Sequence, residues 1–257
     1  DNKKWNWDTL YEIYSKTTDG KTTWGMAYPG GENWFHPYPL WLWQAGGEIF
    51  SPDYKMPTLN SSAAITALSF LKKVHDNGLM APGSETMKAG EAIAMFTGGK
   101  VAVLWGSGGW PANTIITWPQ QFPNLNYKVI YPPIGPSGRR DTYLGISLWQ
   151  IFKQSKNLDL AKAWVEFWYT EEAQVFVDNY FGQFPVIKGV EGKLAAHPVG
   201  KMHIKAMTYG HVEPIHAKAG EVKTIYNKYT QMVLLGSMTP EEAANEMQKK
   251  ALEAIGR

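Results

Sequence analysis

The chain has 257 residues, 44% of them hydrophobic and 19% charged, enough for one large or two modest buried cores. Its formal net charge of +2 comes from scattered basic residues with no run longer than the Arg139-Arg140 pair, so neither a nucleic-acid stripe nor a polybasic membrane anchor is indicated. With no cysteine there are no disulfides, thiolate metal sites or cysteine nucleophiles; no apolar run reaches membrane-spanning length, and the opening DNKKWNWD does not read as a signal peptide, which predicts a soluble mature form.

Asn6-Trp7-Asp8-Thr9-Leu10 predicts a helix start, with Leu10, Ile13 and Tyr14 on its apolar face and an end near Gly20. Residues 24–28 read as a short strand. Pro29-Gly-Gly31 turns it into a stretch carrying Trp34 and His36, and a helix follows through Leu40, Leu42 and Trp43 to Gly46-Gly47. Residues 61–77 predict a helix buried through Ala64, Leu68, Leu71 and Val74, and residues 90–96 a short helix with Glu91 in its first turn, where the dipole favours a carboxylate.

Residues 100–105 have the β-branched, apolar character of a strand buried on both faces, and Gly106-Ser-Gly-Gly109 ends it in residues that tolerate positive φ. Trp110 is thereby presented at a loop tip, with Pro111 suited to the first turn of a helix beyond it. An aromatic delivered at the end of a buried strand is how open α/β sheets present ligand sites; a core tryptophan on an ordinary turn is the alternative. Residues 127–131 read as a strand, residues 132–138 as a stiff loop, and residues 142–152 as a longer strand interrupted by Gly145.

Asn157 then caps a predicted helix, and Thr170-Glu-Glu starts another. Phe184-Pro185-Val186 leaves the pair extended. Residues 223–235 are amphipathic up to Gly236, and Thr239-Pro-Glu-Glu242 combines an N-cap, a proline at N1 and an acidic first turn for a closing helix through Ile255.

No GxSxG, HExxH, Walker or GxGxxG motif occurs. His197 with His203, and His211 with His216, lack metal-helix spacing, and the carboxylate pairs Glu171-Glu172 and Glu241-Glu242 are explained by helix first turns. The residues therefore name no catalytic group, no metal site and no cofactor.

Seven motifs in order resemble the extracellular solute-binding proteins of ABC transporters, of the maltose- and sugar-binding type. They are Asn6 to Leu10; Trp41-Leu-Trp-Gln-Ala-Gly-Gly47; Phe96-Thr-Gly-Gly-Lys-Val-Ala-Val103 with Gly109-Trp110; Tyr143-Leu-Gly-Ile-Ser147; residues 156–163 with Thr170-Glu-Glu-Ala-Gln174; Gly182-Gln-Phe-Pro185; and residues 236–243. The resemblance implies an α/β fold of the type II periplasmic-binding-protein kind. Residues 1–142 and 184–257 would be a discontinuous lobe two, and residues 143–183 a strand-helix-helix segment of lobe one with hinge crossings. The stretch that opens lobe one in the family has no counterpart here, so the apolar strand over 146–152 is expected to lack its sheet and the chain alone to bind sugar poorly.

The same resemblance implies a receptor that closes around a sugar or oligosaccharide and delivers it to an ABC permease; a carbohydrate-active enzyme or carbohydrate-binding module is the alternative. Trp110 matches the family tryptophan that stacks on a sugar ring. Trp34 would add a second stacking face and His36 a hydrogen bond to hydroxyls, a surface or capping role being the alternative for His36. Gly145, Ile146 and Ser147 fall at the hinge-proximal edge of the cleft, and Glu221 and Lys223 on the facing loop before the late helix, where a solvated pair on a helix start is the alternative. The implied partners are the ligand and the permease, with no nucleic acid, for a monomer in the periplasm or outside the cell, either free or held to the membrane by an N-terminal lipid.

Overall fold

A computed structural model describes residues 4–31, 37–105 and 110–257. In chain order the elements are α1 (Trp7–Thr17), β1 (Trp24–Met26), α2 (Pro37–Gln44), α3 (Ser62–Asp76), α4 (Ala89–Thr97), β2 (Val101–Val103), a π turn (Asn113–Thr117) running into α5 (Trp118–Gln121), and β3 (Thr142–Tyr143). They continue with α6 (Leu158–Phe167), α7 (Glu171–Phe176) with a π turn (Val177–Phe181), α8 (Lys193–Ala196), α9 (Pro198–Ala206), β4 (Gly210–His211), α10 (Ala219–Leu234) and α11 (Pro240–Ala254).

Helix boundaries follow local chemistry. Asn6 and Thr9 form a reciprocal capping box at α1, as Thr239 and Glu242 do at α11, and the Ser61 hydroxyl accepts from the Ala64 amide at α3. Ile13 departs from expectation: it is exposed, because Trp7, Leu10 and Tyr14 at i, i+3 and i+7 make the buried stripe and Ile13 falls beside it.

By contacts the chain divides into two compact units, one drawn from residues 1–108, 131–144 and 209–257, the other from 109–130 and 145–208. The first unit holds a continuous core in which α2, α3, α10 and α11 pack with α1. Trp7 meets Trp41 edge-on at 5.3 Å and Phe70 at 4.5 Å, and the indole of Trp105 donates to the Tyr14 hydroxyl at 2.6 Å. β1 and β2 pair in parallel with Trp24 opposite Val101, and α1 lies so close to them that a Cβ on Gly25 would sit 2.5 Å from Tyr14 Cβ.

Three expected strands are corrected. β2 is shorter than 100–105 and is not buried on both faces: Val101 is buried but Ala102 is exposed. Residues 127–131 form no ladder; Trp5 takes that place, donating its indole N–H to the Tyr131 carbonyl at 2.7 Å and accepting from the Ile134 amide at 2.8 Å. The strand expected over 142–152 pairs only at Thr142 and Tyr143, with β4, and ends where the Leu144 amide donates to the His211 carbonyl at 2.8 Å. Beyond it the chain has no strand partner among the described residues, and Leu148 is 74% exposed.

The second unit is polar in its fastenings and thin in its core. Its buried apolar side chains are few among the described residues, Pro111, Trp118, Ala173, Leu194 and Ala195, and α6 buries none. Asn157 stands at the N-cap position of α6 without a side-chain bond. What ties the unit together is the fully buried carboxylate of Asp178, whose oxygens accept from the Leu194 amide at 2.7 Å and the Ala195 amide at 3.0 Å at the start of α8. This bond, and that of Trp110 described below, explain why residues 109–130 and 184–208 pack with 145–183.

Candidate functional site

Trp110 immediately precedes the helical run that Pro111 opens, and its backbone carbonyl accepts from the Asn113 and Thr114 amides. Its indole N–H donates to the Gly182 carbonyl at 3.0 Å, and Gly182 occupies the left-handed region at φ +69°. The ring is 45% exposed, which removes the reading of Trp110 as a core residue. The bond is at the edge of the indole, so the flat faces are not consumed by it.

Gly145, Ile146 and Ser147 are exposed on the unpaired chain after β3, in the same unit as Trp110. The Ser147 hydroxyl accepts from the Gln183 amide at 3.3 Å, so Trp110 and Ser147 are held on the adjacent residues Gly182 and Gln183. Trp34, His36 and the glycine loop 106–109 lie outside the described residues.

Glu221 and Lys223 are not on a loop before the late helix. α10 begins at Ala219 and contains both near its start, the position that the alternative gave them. Nor do they pair with each other: Glu221 accepts from Lys218 Nζ at 2.5 Å, and Lys223 Nζ donates to Glu213 Oε1 at 2.7 Å. The amphipathic pattern from residue 223 hid the first turn, which is the small-residue pair Ala219-Gly220.

Lys223 faces a pocket in the first unit together with Trp43, Ile49, Glu213, Pro214, Ala219, Gly220 and Tyr226. Aromatic walls with an ammonium and a carboxylate at the rim can hold an apolar ring face and bond to hydroxyls around it. Burial raises the Tyr226 phenol well above its ordinary value, with the Glu213 charge adding to the rise, so this hydroxyl keeps its proton and remains a donor. Trp43, Glu213 and Tyr226 were missed from sequence, because Trp43 and Tyr226 sit in helices whose apolar pattern is explained by packing. Glu213 lies between His211 and His216 and precedes a proline, and no spacing in that segment marks it as a ligand group.

Beside this pocket the imidazole of His211 stacks on Trp43, with ring centroids 4.8 Å apart and planes at 16°. It is flanked by Asp141, Arg139 and Glu48. Loss of solvent raises the Glu48 carboxyl, against the lowering influence of His211 and Arg139. Among the described residues no group of three or more histidine, aspartate or glutamate side chains is arranged to hold a metal ion.

Solved structures share this architecture. The maltose-bound MalE3 protein of T. maritima superposes with a TM-score of 0.81 at 23% identity, over 95% of this chain and 64% of that one. A solute-binding protein of an ABC transporter from Thermotoga lettingae TMO, bound with α-D-tagatose, gives 0.80 at 21% identity, over 98% and 64%. The fold is therefore the α/β, type II periplasmic-binding-protein fold. A family model described as bacterial extracellular solute-binding protein matches residues 1–175, and the chain belongs to that family. A curated binding protein of Brucella abortus strain 2308 is 26% identical over 252 residues, covering 96% of this chain and 60% of that protein. The chain thus spans less than two thirds of the length of these relatives.

Proposed function

We propose that this chain is the sugar-facing part of an extracytoplasmic receptor that passes a sugar or oligosaccharide to an ABC permease, acting as a monomer and without turning the ligand over. Family membership supports this class of activity, and the larger unit corresponds on this reading to most of lobe two. The observation that carries the choice of ligand is Trp110: a tryptophan anchored at its edge by the Gly182 carbonyl with 45% of its surface open to solvent. An anchored, open indole is suited to a pyranose, whose C–H face is apolar and whose rim is hydroxylated. Ser147, in the same unit as Trp110, supplies a polar group of the kind that binds such rims; within the other unit the Lys223–Glu213 pair gives its own pocket groups of that kind, and Trp34 and His36 are assigned to this role by resemblance.

The test is calorimetric titration with maltose. If a pyranose covers about 50 Å² of the indole, the apolar contribution is roughly 1 to 1.5 kcal/mol, so Trp110→Ala weakens binding by about tenfold. Incubation at high maltose concentration gives binding heat, weak as expected of this chain alone, and no hydrolysis products. Unchanged affinity in a folded Trp110→Ala protein removes this residue from the site, and release of glucose replaces the receptor by an enzyme.

A further inference from the structure

Trp43 is gripped by two ionisable side chains. Its ring face lies on the imidazole of His211, and its indole N–H donates to the carboxylate of Glu48. The two grips also face each other, His211 Nδ1 standing 3.7 Å from Glu48 Oε1. On its other side His211 Nε2 is 2.8 Å from Asp141 Oδ1 and 2.8 Å from the Arg139 guanidinium, while Arg139 Nε reaches Asp141 Oδ2 at 3.0 Å and its terminal nitrogen lies 3.9 Å from Glu48. The strand pairing that sets Tyr143 opposite His211 fixes the imidazole at this place, and the Gln44 amide holds the Asp141 carbonyl at 2.9 Å.

A single ring nitrogen cannot both accept from Arg139 and donate to Asp141. With the imidazole neutral, two carboxylates face one guanidinium and the cluster carries a net negative charge. A proton on His211 removes that imbalance, commits Nε2–H to Asp141 in place of the Arg139 contact, which must then part from Nε2, and turns Nδ1–H toward Glu48, the carboxylate that also holds the indole of Trp43. We infer that His211 and Glu48 are positioning residues for Trp43, and that protonation of His211 resets the wall of the pocket shared by Trp43, Tyr226 and Lys223. The consequence for ligand rests on the reading of that pocket as sugar-binding. By reciprocity a ligand that prefers one setting of Trp43 also shifts the proton affinity of His211.

The primary test needs no ligand. The indole N–H resonance of Trp43, assigned with Trp43→Phe, is followed from about pH 8 to about pH 5, the range over which histidine changes charge. In the wild-type protein it moves with the His211 ring resonances through one shared midpoint, and in His211→Gln that movement is lost. Glu48→Gln, which keeps an acceptor for the indole but removes the charge facing His211, lowers the midpoint. A Trp43 resonance that stays fixed while His211 titrates, that moves unchanged in His211→Gln, or whose midpoint ignores Glu48→Gln overturns the inference; the Glu48→Gln arm decides alone if His211→Gln does not fold. Maltose affinity is then measured at about pH 7.5 and about pH 5.5, with a change of about threefold or more expected in the wild type and none in His211→Gln. Maltose binding equally at both values while Trp43 moves overturns the link to the pocket. Absence of maltose binding at either pH counts against the sugar reading, and the ligand-free titration still decides the role of His211.

Discussion

The indole N–H of Trp110 and the carbonyl of Gly182 meet at 3.0 Å across 72 residues of sequence, and Gly182 is in turn pressed against the residue group that Trp110 introduces. A Cβ on Gly182 would stand 2.2 Å from the Cβ of Ala112, two residues after the tryptophan. Gly182 also holds φ at +69°, where an L side chain is strained. Gly189, at φ +83° with open space around it, carries the second penalty without the first. Gly189→Ala is expected to cost about 1 kcal/mol and Gly182→Ala distinctly more, with the Trp110 indole resonance displaced only in Gly182→Ala. Equal losses in urea unfolding for the two variants, with an unmoved Trp110 signal, show that the contact at Ala112 is relieved without consequence.

Asp178 governs the other fastening of that unit. Its carboxylate is fully buried and accepts two amides at the start of α8, and a Cβ on Gly192 would lie 2.2 Å from one of its oxygens. Asp178→Ala strips both amides of their acceptor in a site closed to water, a loss of about 2 to 4 kcal/mol. Asp178→Asn retains the shape and one acceptor and loses less. Hydrogen exchange of the Leu194 and Ala195 amides reports the effect directly: faster exchange in Asp178→Ala is expected, and unchanged protection contradicts this role.

At the opposite end of the chain, the Thr239 hydroxyl accepts from the Glu242 amide while the Glu242 carboxylate accepts from the Thr239 amide at 2.9 Å. Thr239→Ala opens this box at a cost of about 1 kcal/mol, and Thr239→Ser restores it. A melting temperature for Thr239→Ala that equals the wild type's, or a serine variant that melts with the alanine one, removes the cap from the stability of α11.

Local signals wrote most of the helices into the sequence. Asn6, Ser61, Thr170 and Thr239 each cap the helix their type and spacing forecast, because capping needs only residues within one turn. Strands were less legible, since a ladder requires a partner distant in sequence. Residues 146–152 carry five apolar side chains in seven, yet no strand among the described residues pairs with them. The site followed the same rule. Trp110 could be found because glycines and a proline surround it, whereas Trp43 could not, its ring belonging to a helix in which every residue is buried. The ring of charges about His211 comes from residues 48, 139, 141 and 211, a grouping that no spacing rule predicts.

His203 gives the pH prediction. It lies on α9 with its Nε2 buried and without a hydrogen-bond partner among the described residues, and loss of solvent lowers its pKa below the ordinary 6.5. The unfolded chain therefore takes up a proton at a higher pH than the folded one, so in the window below 6.5 the unfolded state binds more protons and stability rises with pH. Above that window both states are neutral at this residue and it contributes no pH dependence. On acidification the folded state is penalised progressively until the pH falls below the lowered pKa, where the loss is complete. His203→Leu removes the titrating group and relieves the unpaired nitrogen, so the drop in melting temperature between about pH 7.5 and about pH 5.5 is smaller in the variant than in the wild type. The wild type and His203→Leu losing stability in parallel over that interval means that the acid sensitivity resides elsewhere and that His203 takes its proton without opposing the fold.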